Sequence, residues 1–429
     1  MNKVDIIKLA KAVKKKFKKP QLHYVSYCRR IERIKTDKRI CAMTFDDGPT
    51  RENDITLRIL EVLGEFGAKG TFDVIGTTKD NYPDNEGKLG TPSWSGVKFD
   101  HYPSFNKDDM AGALHCGDII DEIISSGHEV TNHTYSHVLF GKKNIIYSKR
   151  KTLQSFDEVL SDVEKLHTLI KERHGYDMKF SRPPHYVDKI KGNFTSYDVY
   201  STLNYNYLAA SFDGAGWLPC ESEDGEVQAM VLPLKKALEE NPDALSGQII
   251  FQKDGYNMSL RAPVIKGLKA QLELLKEYGY KVVTVSKLLE ESPFADMSRG
   301  DEDFELFYDL QKDFPIVFTD NTLRPDALMT RGEFAMLIAP KKISVDKRIS
   351  DIKNGATLPY GLKSVHPYSS ALVWAIEGGV LSPVGSSASP DRPLTEEDLK
   401  SDSCPVDLSL LKGEKLTRRR VLRAFYSKI

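Results

Sequence analysis

Between Ile40 and Val285 the chain alternates short apolar runs with longer stretches whose apolar residues recur at helical spacing. Runs at Ile40–Phe45, Lys69–Ile75, Met178–Ser181, Tyr207–Phe212, Gln248–Gln252 and Lys281–Val285 read as strands. Helical spacing follows at Ile55–Phe66, Asp108–Ser126, Thr152–Glu172, Val227–Glu240 and Pro263–Tyr278. Strands separated by helices predict parallel βα units and an α/β fold. The 429 residues leave room for two or three domains, at roughly 150 residues each.

The first strand ends in Asp46-Asp47 and is stopped by Gly48-Pro49. A strand that ends in two acids and then turns puts both at one mouth of a sheet. The pleat aims neighbouring side chains apart, so one can ligate a metal while the other acts as a base. Taken alone, the stretch also fits a solvated turn. A second stretch, Gly127-His128-Glu129-Val130-Thr131-Asn132-His133-Thr134-Tyr135-Ser136-His137, sharpens the reading. His133 and His137 are four apart, the spacing that brings two imidazoles to one face of a helical turn. With Asp47 they make a His, His, carboxylate set that leaves coordination open for water and substrate. Zinc suits these donors best, with cobalt, nickel or manganese as alternatives.

Together the two stretches resemble motifs one and two of the polysaccharide deacetylases, the NodB homology domain of carbohydrate esterase family 4, over residues 38 to 290. The resemblance implies a distorted (β/α)7-type barrel and a metal-dependent deacetylase acting on N-acetyl or O-acetyl groups of cell-wall or other polysaccharide. It implies metal ligation by Asp47, His133 and His137, with Asp46 as general base. Arg182, in Arg182-Pro183-Pro184, takes the place of the family arginine that keeps the base ionised. Trp217 is implied as a wall of the acetyl pocket, with Pro184 and Tyr186 beside the substrate. Trp94 belongs to a long loop (77–108) rich in Pro, Gly and aromatics, which either lines a groove for sugar rings or is tied down by its own rings.

Three positions depart from the family pattern. His185-Tyr186 stands where Tyr-Gly follows Arg-Pro-Pro; a backbone N–H at 185 still serves an oxyanion, because that donor needs no particular side chain. Gly216 stands where the family has a second acid, and Lys253 where it has a general-acid histidine. Either partner left without the other would be a stranded buried group, so a coordinated loss is the economical change. Lys253 or His185 then supplies the proton, or the chain binds ligand and turns over poorly. A hydrolase of small non-sugar amides and a catalytically weak cell-wall binding protein are the alternative readings.

Residues 291–313 read as an acidic linker into a second region, 314–429. There, Arg324-Pro325-Asp326 and Pro390-Asp391-Arg392-Pro393 each precede a threonine and a helix. The pattern looks like S-layer homology repeats, which implies a smaller helical repeat domain anchored to cell-wall polysaccharide. The family's Thr-Arg pair stands as Thr330-Arg331 and Thr417-Arg418 but is Thr395-Glu396 in the middle repeat, which puts one sugar-binding groove in doubt.

Residues 1–38 form a basic lead-in whose first 20 residues have an amphipathic pattern and no signal-peptide core, whereas the repeats suggest the cell surface. Lysine plus arginine equals aspartate plus glutamate, 61 each, so net charge gives no pull toward nucleic acid. No run approaches the ~18 apolar residues of a membrane span. Five scattered cysteines without C-x-x-C spacing indicate neither a zinc ribbon nor a disulfide framework.

Overall fold

The computed structural model describes residues 23–77, 110–141, 152–257, 259, 261–399 and 404–429. The amphipathic leader, Trp94 and nearly all of its loop lie outside these residues. The elements run β1 (Arg30–Ile31), β2 (Ile40–Asp46), α1 (Ile55–Glu65), β3 (Thr71–Val74), α2 (Gly117–Ser125), β4 (Glu129–Asn132), α3 (Phe156–His174) and β5 (Phe180–Ser181). A small hairpin, β6 (Lys189–Ile190) and β7 (Phe194–Thr195), leads to α4 (Ser196–Thr202), β8 (Asn206–Leu208) and β9 (Phe212–Asp213). Then come α5 (Glu223–Glu240), β10 (Ile249–Lys253), α6 (Val264–Glu277), β11 (Lys281–Val283) and α7 (Val285–Glu291).

Nine of these strands form one sheet in the order β1-β8-β5-β4-β3-β2-β10-β9, with β11 also paired to β2. All its ladders are parallel. The sheet curls into a half-barrel with helices outside it, the expected α/β barrel class. All seven residues of β2 are buried, as a central parallel strand covered on both faces requires. The strand count exceeds seven because 207–212 is not one strand. β8 pairs with β1 and β5, whereas β9 pairs with β10. The lead-in also supplies β1 at the sheet edge.

Local signals set the helix ends. Ser155 and Glu158 make a reciprocal capping box at the start of α3, and Gly175 closes it at a φ of 62°. The start of α2 falls at Gly117, later than the sequence pattern predicts.

The stretch 291–313 is not extended. Phe304–Asp313 forms α8, and Phe304, Phe307 and Leu310 are buried. Its acidic start has a counterpart in a basic helix near the C-terminus, since Asp303 pairs with Arg419 at 3.0 Å and Arg423 at 2.7 Å. Four further helices follow: α9 (Arg331–Ile338), α10 (Arg348–Lys353), α11 (Ser369–Glu377) and α12 (Arg418–Tyr426). Val345, Ile349 and Ile352 belong to the barrel's apolar core, and the Val25 N–H donates to the Tyr368 hydroxyl at 2.8 Å.

Both Thr-Arg pairs sit at helix starts, with the threonine capping and the arginine turned inward. Thr330 makes a capping box with Glu333, and Thr395 makes one with Asp398. Arg331 is fully buried and donates to Asp398 at 2.6 Å and to the carbonyls of Ala388 and Ser382. Arg418 is buried likewise; it donates to Glu333 at 2.8 Å and to the carbonyls of Leu323 and Ile316. Each arginine thus reaches the acid that closes another segment's cap. Neither one lines an open groove, contrary to what the repeat pattern suggests. Removing one partner of a buried ion pair strands the other charge. Arg418→Ala is therefore expected to destabilise the region by about 3–5 kcal/mol. Thr330→Ala, which loses only a cap, should cost about 1 kcal/mol, and thermal unfolding of the two variants checks the order.

Candidate active site

The site forms where β2 ends. Lys253 on β10, Asp46 on β2, Asp73 on β3 and Thr131 on β4 stand in one row, each in register with its neighbour. In-register residues of parallel strands point the same way, so the row's side chains gather on one face. The next residues along extend the ladder: the His133 N–H donates to the Val74 carbonyl at 2.9 Å, and the Arg182 N–H to the Asn132 carbonyl at 3.0 Å. The turn after the acids is clamped from β10. The Asp254 N–H donates to the Asp46 carbonyl at 2.7 Å, and its carboxylate lies where a Cβ on Gly48 would stand, so only glycine fits. Both Asp254 oxygens accept from the Thr56 hydroxyl, at 2.7 and 2.8 Å.

His133 and His137 do not share a helical turn. They lie on a loop after β4, in which Thr134 and His137 have positive φ, 74° and 53°. The loop is held by side chains. Asp162 of α3 accepts from the N–H groups of Tyr135 and Ser136, at 3.0 and 3.2 Å. Asn132 accepts from the Thr134 N–H, and the Thr134 hydroxyl from the His137 N–H. These bonds take donors that a helix would have used, and they still bring the two rings together, with centroids 4.8 Å apart.

One oxygen of Asp47 lies 3.1 Å from His133 Nε2 and 3.0 Å from His137 Nε2. Ligands about 2.0–2.1 Å from a tetrahedral zinc stand about 3.3 Å apart, so this set is close to the spacing such an ion imposes. His133 Nδ1 donates to the Arg182 carbonyl at 2.9 Å, which fixes the tautomer and leaves Nε2 toward Asp47. Burial, with His133 and His185 nearby, pushes His137 down despite Asp47. Burial alone would raise Asp47, but the Lys253 ammonium and both imidazoles hold its carboxyl well below the usual range. The residues present therefore suit a divalent cation. Lys253 Nζ binds the other Asp47 oxygen.

Asp46 is held by Arg182, whose Nη1 contacts its Oδ1. Its Oδ2 lies 3.8 Å from His133 Nε2, facing the same space. Arg182 is fully buried and spends its other donors on the Leu208 carbonyl and the Thr44 hydroxyl. Burial disfavours its charge, but Asp46, with Tyr186 and Asp73, outweighs this and strengthens its hold on the proton. Tyr186 and Phe251 lie over the guanidinium at 5.5 and 5.8 Å. The contacts seen for Tyr186 are with Arg182 and with the Arg30 guanidinium at 5.7 Å.

His185 is half-buried at a φ of 53°, its ring 5.7 Å from that of His137. Pro184 is buried beside it. Trp217 is partly exposed, and its indole donates to Asp213 at 3.1 Å. A Cβ built on Gly216 would lie 3.8 Å from the Lys253 amide nitrogen, so the two departures from the family pattern are neighbours in space.

Asp73 was not legible as a site residue, although an acid inside the apolar run Thr71–Val74 was a signal. It is fully buried and accepts from the Thr131 hydroxyl at 2.7 Å. Burial pushes its carboxyl up to about 6, with Asp46 adding to this against His133 and Arg182. Burial lowers the His133 imidazole, but Asp73, Asp47 and Asp46 outweigh it and carry the ring to about 9.

Residues 33–206 match the family model described as polysaccharide deacetylase. A peptidoglycan-N-acetylglucosamine deacetylase from Bacillus cereus is 25% identical over 223 residues, 47% of this chain and 63% of the relative. A second such deacetylase from that organism is 24% identical over 260 residues, 60% of this chain and 91% of the relative. A solved structure of a CE4 family pseudoenzyme from Bacillus anthracis is 18% identical and covers 61% of this chain and 68% of that one, with a TM-score of 0.40. The chain spans just under two thirds of the first relative's length. The family match ends before Trp217 and Lys253. Through residues 33–206, the chain is similar to the polysaccharide deacetylases.

Proposed function

We propose that the protein is a metal-dependent deacetylase that hydrolyses N-acetyl groups, or O-acetyl groups, of cell-wall glycan. The observation that carries this reading is the single Asp47 oxygen lying 3.0–3.1 Å from two imidazole nitrogens, beside a second acid held by a buried arginine. A divalent ion held by Asp47, His133 and His137 supplies Lewis acidity toward the acetyl carbonyl and makes a nearby water easier to deprotonate.

The remaining chemistry falls to the chain. Asp46 Oδ2 takes the proton from the attacking water, and Arg182 keeps that carboxylate charged and aimed. The backbone N–H at 185 faces the developing oxyanion. The leaving amine needs a proton, and Lys253 or His185 supplies it. Trp217 and Pro184 bound the acetyl group. Zinc is the favoured ion, ahead of cobalt, nickel and manganese.

One observation favours slower turnover. Lys253 sits on the second oxygen of Asp47, so a proton donated from it leaves that carboxylate less well compensated. This supports a weakly active, glycan-binding version of the same domain as the second reading. Glycan binding by 314–429 would have to use groups other than Arg331 and Arg418, which are buried.

Acetate release from acetylated chito-oligosaccharide, peptidoglycan and xylan, with and without chelator, tests the reading; release that chelator leaves untouched refutes it. Asp47→Ala should lose bound zinc by elemental analysis and lose activity. Asp46→Asn should keep the zinc and lose about 10²–10⁴-fold in kcat, the usual range for a general base. The double variant Lys253→Ala/His185→Ala should release acetate much more slowly than the parent, and an unchanged rate would remove both residues as the acid.

A further inference from the structure

Asp73 is a carboxylate for which the chemistry above has no use. It sits on β3 directly opposite Asp46, fully buried, with one oxygen fixed by the Thr131 hydroxyl. Its other oxygen, Oδ2, makes no hydrogen bond among the described residues. That oxygen is aimed at two N–H groups just beyond hydrogen-bond length: His133 Nδ1 at 3.4 Å and Arg182 Nε at 3.6 Å. An unpaired buried carboxylate oxygen is costly, so a strand that carries one in its interior needs a reason for it.

Asp46, Asp73 and His133 could also be read as a second cation site. The Arg182 guanidinium argues against this, because it lies against both acids and already fills the space with positive charge. The remaining reading follows the direction of Oδ2, toward the far side of an imidazole whose Nε2 faces Asp47.

We infer that Asp73 is a positioning residue for the metal centre: together with the Arg182 carbonyl it holds the Nδ1–H of His133, and its charge makes Nε2 a stronger ligand. Outer partners of ligating histidines fix the ring's tautomer and orientation and raise its basicity. Here the two holders are of different kinds. The carbonyl at 2.9 Å sets the ring's direction, and the carboxylate at 3.4 Å supplies the field. Asp73 also shares Arg182 with Asp46, so one guanidinium ties the base to the group behind the ligand. Thr131 matters to the same end, because its hydroxyl keeps Asp73 from rotating onto the arginine.

This role rests on the metal reading above. Its test is calorimetric titration of the chelator-stripped full chain with zinc chloride, for the parent, Asp73→Asn and Thr131→Val, with thermal unfolding of each metal-free protein alongside. Loss of an outer partner of this kind typically weakens metal binding about 10–100-fold, and Asp73→Asn is expected in that range. Thr131→Val should weaken zinc binding in the same direction and by less. A residue that mattered only for folding would lower the unfolding temperature and leave the Kd of the folded protein unchanged. Zinc binding by the parent with the same Kd in Asp73→Asn overturns the positioning role and leaves the metal reading standing. Absence of zinc binding by the parent overturns both. Should Asp73→Asn fail to fold, Thr131→Val decides: a weakened Kd upholds the role, and an unchanged one overturns it.

Discussion

A guanidinium with no exposure to solvent stands at the centre of this molecule. Burying such a charge costs several kcal/mol unless the surroundings repay it with acids and carbonyls. Arg182 finds Asp46 at Nη1, Asp73 near Nε, the Thr44 hydroxyl at Nη2 and the Leu208 carbonyl at Nε. Its own backbone carbonyl meets His133. Groups on strands β2, β3 and β8 and on the loop after β4 therefore answer to one residue that follows β5. The sheet brings these strands together, and the arginine fixes which of their side chains face each other.

Much of this was legible in the sequence. The apolar run into Asp46-Asp47, the stop at Gly48-Pro49 and the arginine before Pro183-Pro184 all lie on one strand end each, where local pattern is informative. The spacing of His133 and His137 predicts that the rings meet, and they do, though on a loop instead of a helical turn. Local spacing cannot tell these apart. The loop wins because Asp162, some 25 residues on, takes the N–H groups of Tyr135 and Ser136. Asp73 escaped for a related reason: its meaning comes from standing opposite Asp46 across a ladder, and cross-strand register is not written in either strand alone.

The C-terminal region gives the opposite lesson. Its Thr-Arg pattern was visible, but the pattern describes helix caps and buried pairs. Thr330 and Thr417 cap their helices, while Arg331 and Arg418 reach acids that close other caps. A recurring motif can place its charged residue in the interior. In the stretch 291–313, read from sequence as an acidic linker, Asp303 answers Arg419 and Arg423 on α12.

The row Lys253, Asp46, Asp73, Thr131 spans four adjacent parallel strands at a single level. Because side chains alternate between the faces of a sheet, the loss or gain of one codon within β2 or β3 would swing Asp46 or Asp73 out of that row to the opposite face. Evolution can therefore vary this barrel freely in the lengths of its outer connections, but the inner ends of these strands tolerate only exchange of one residue for another.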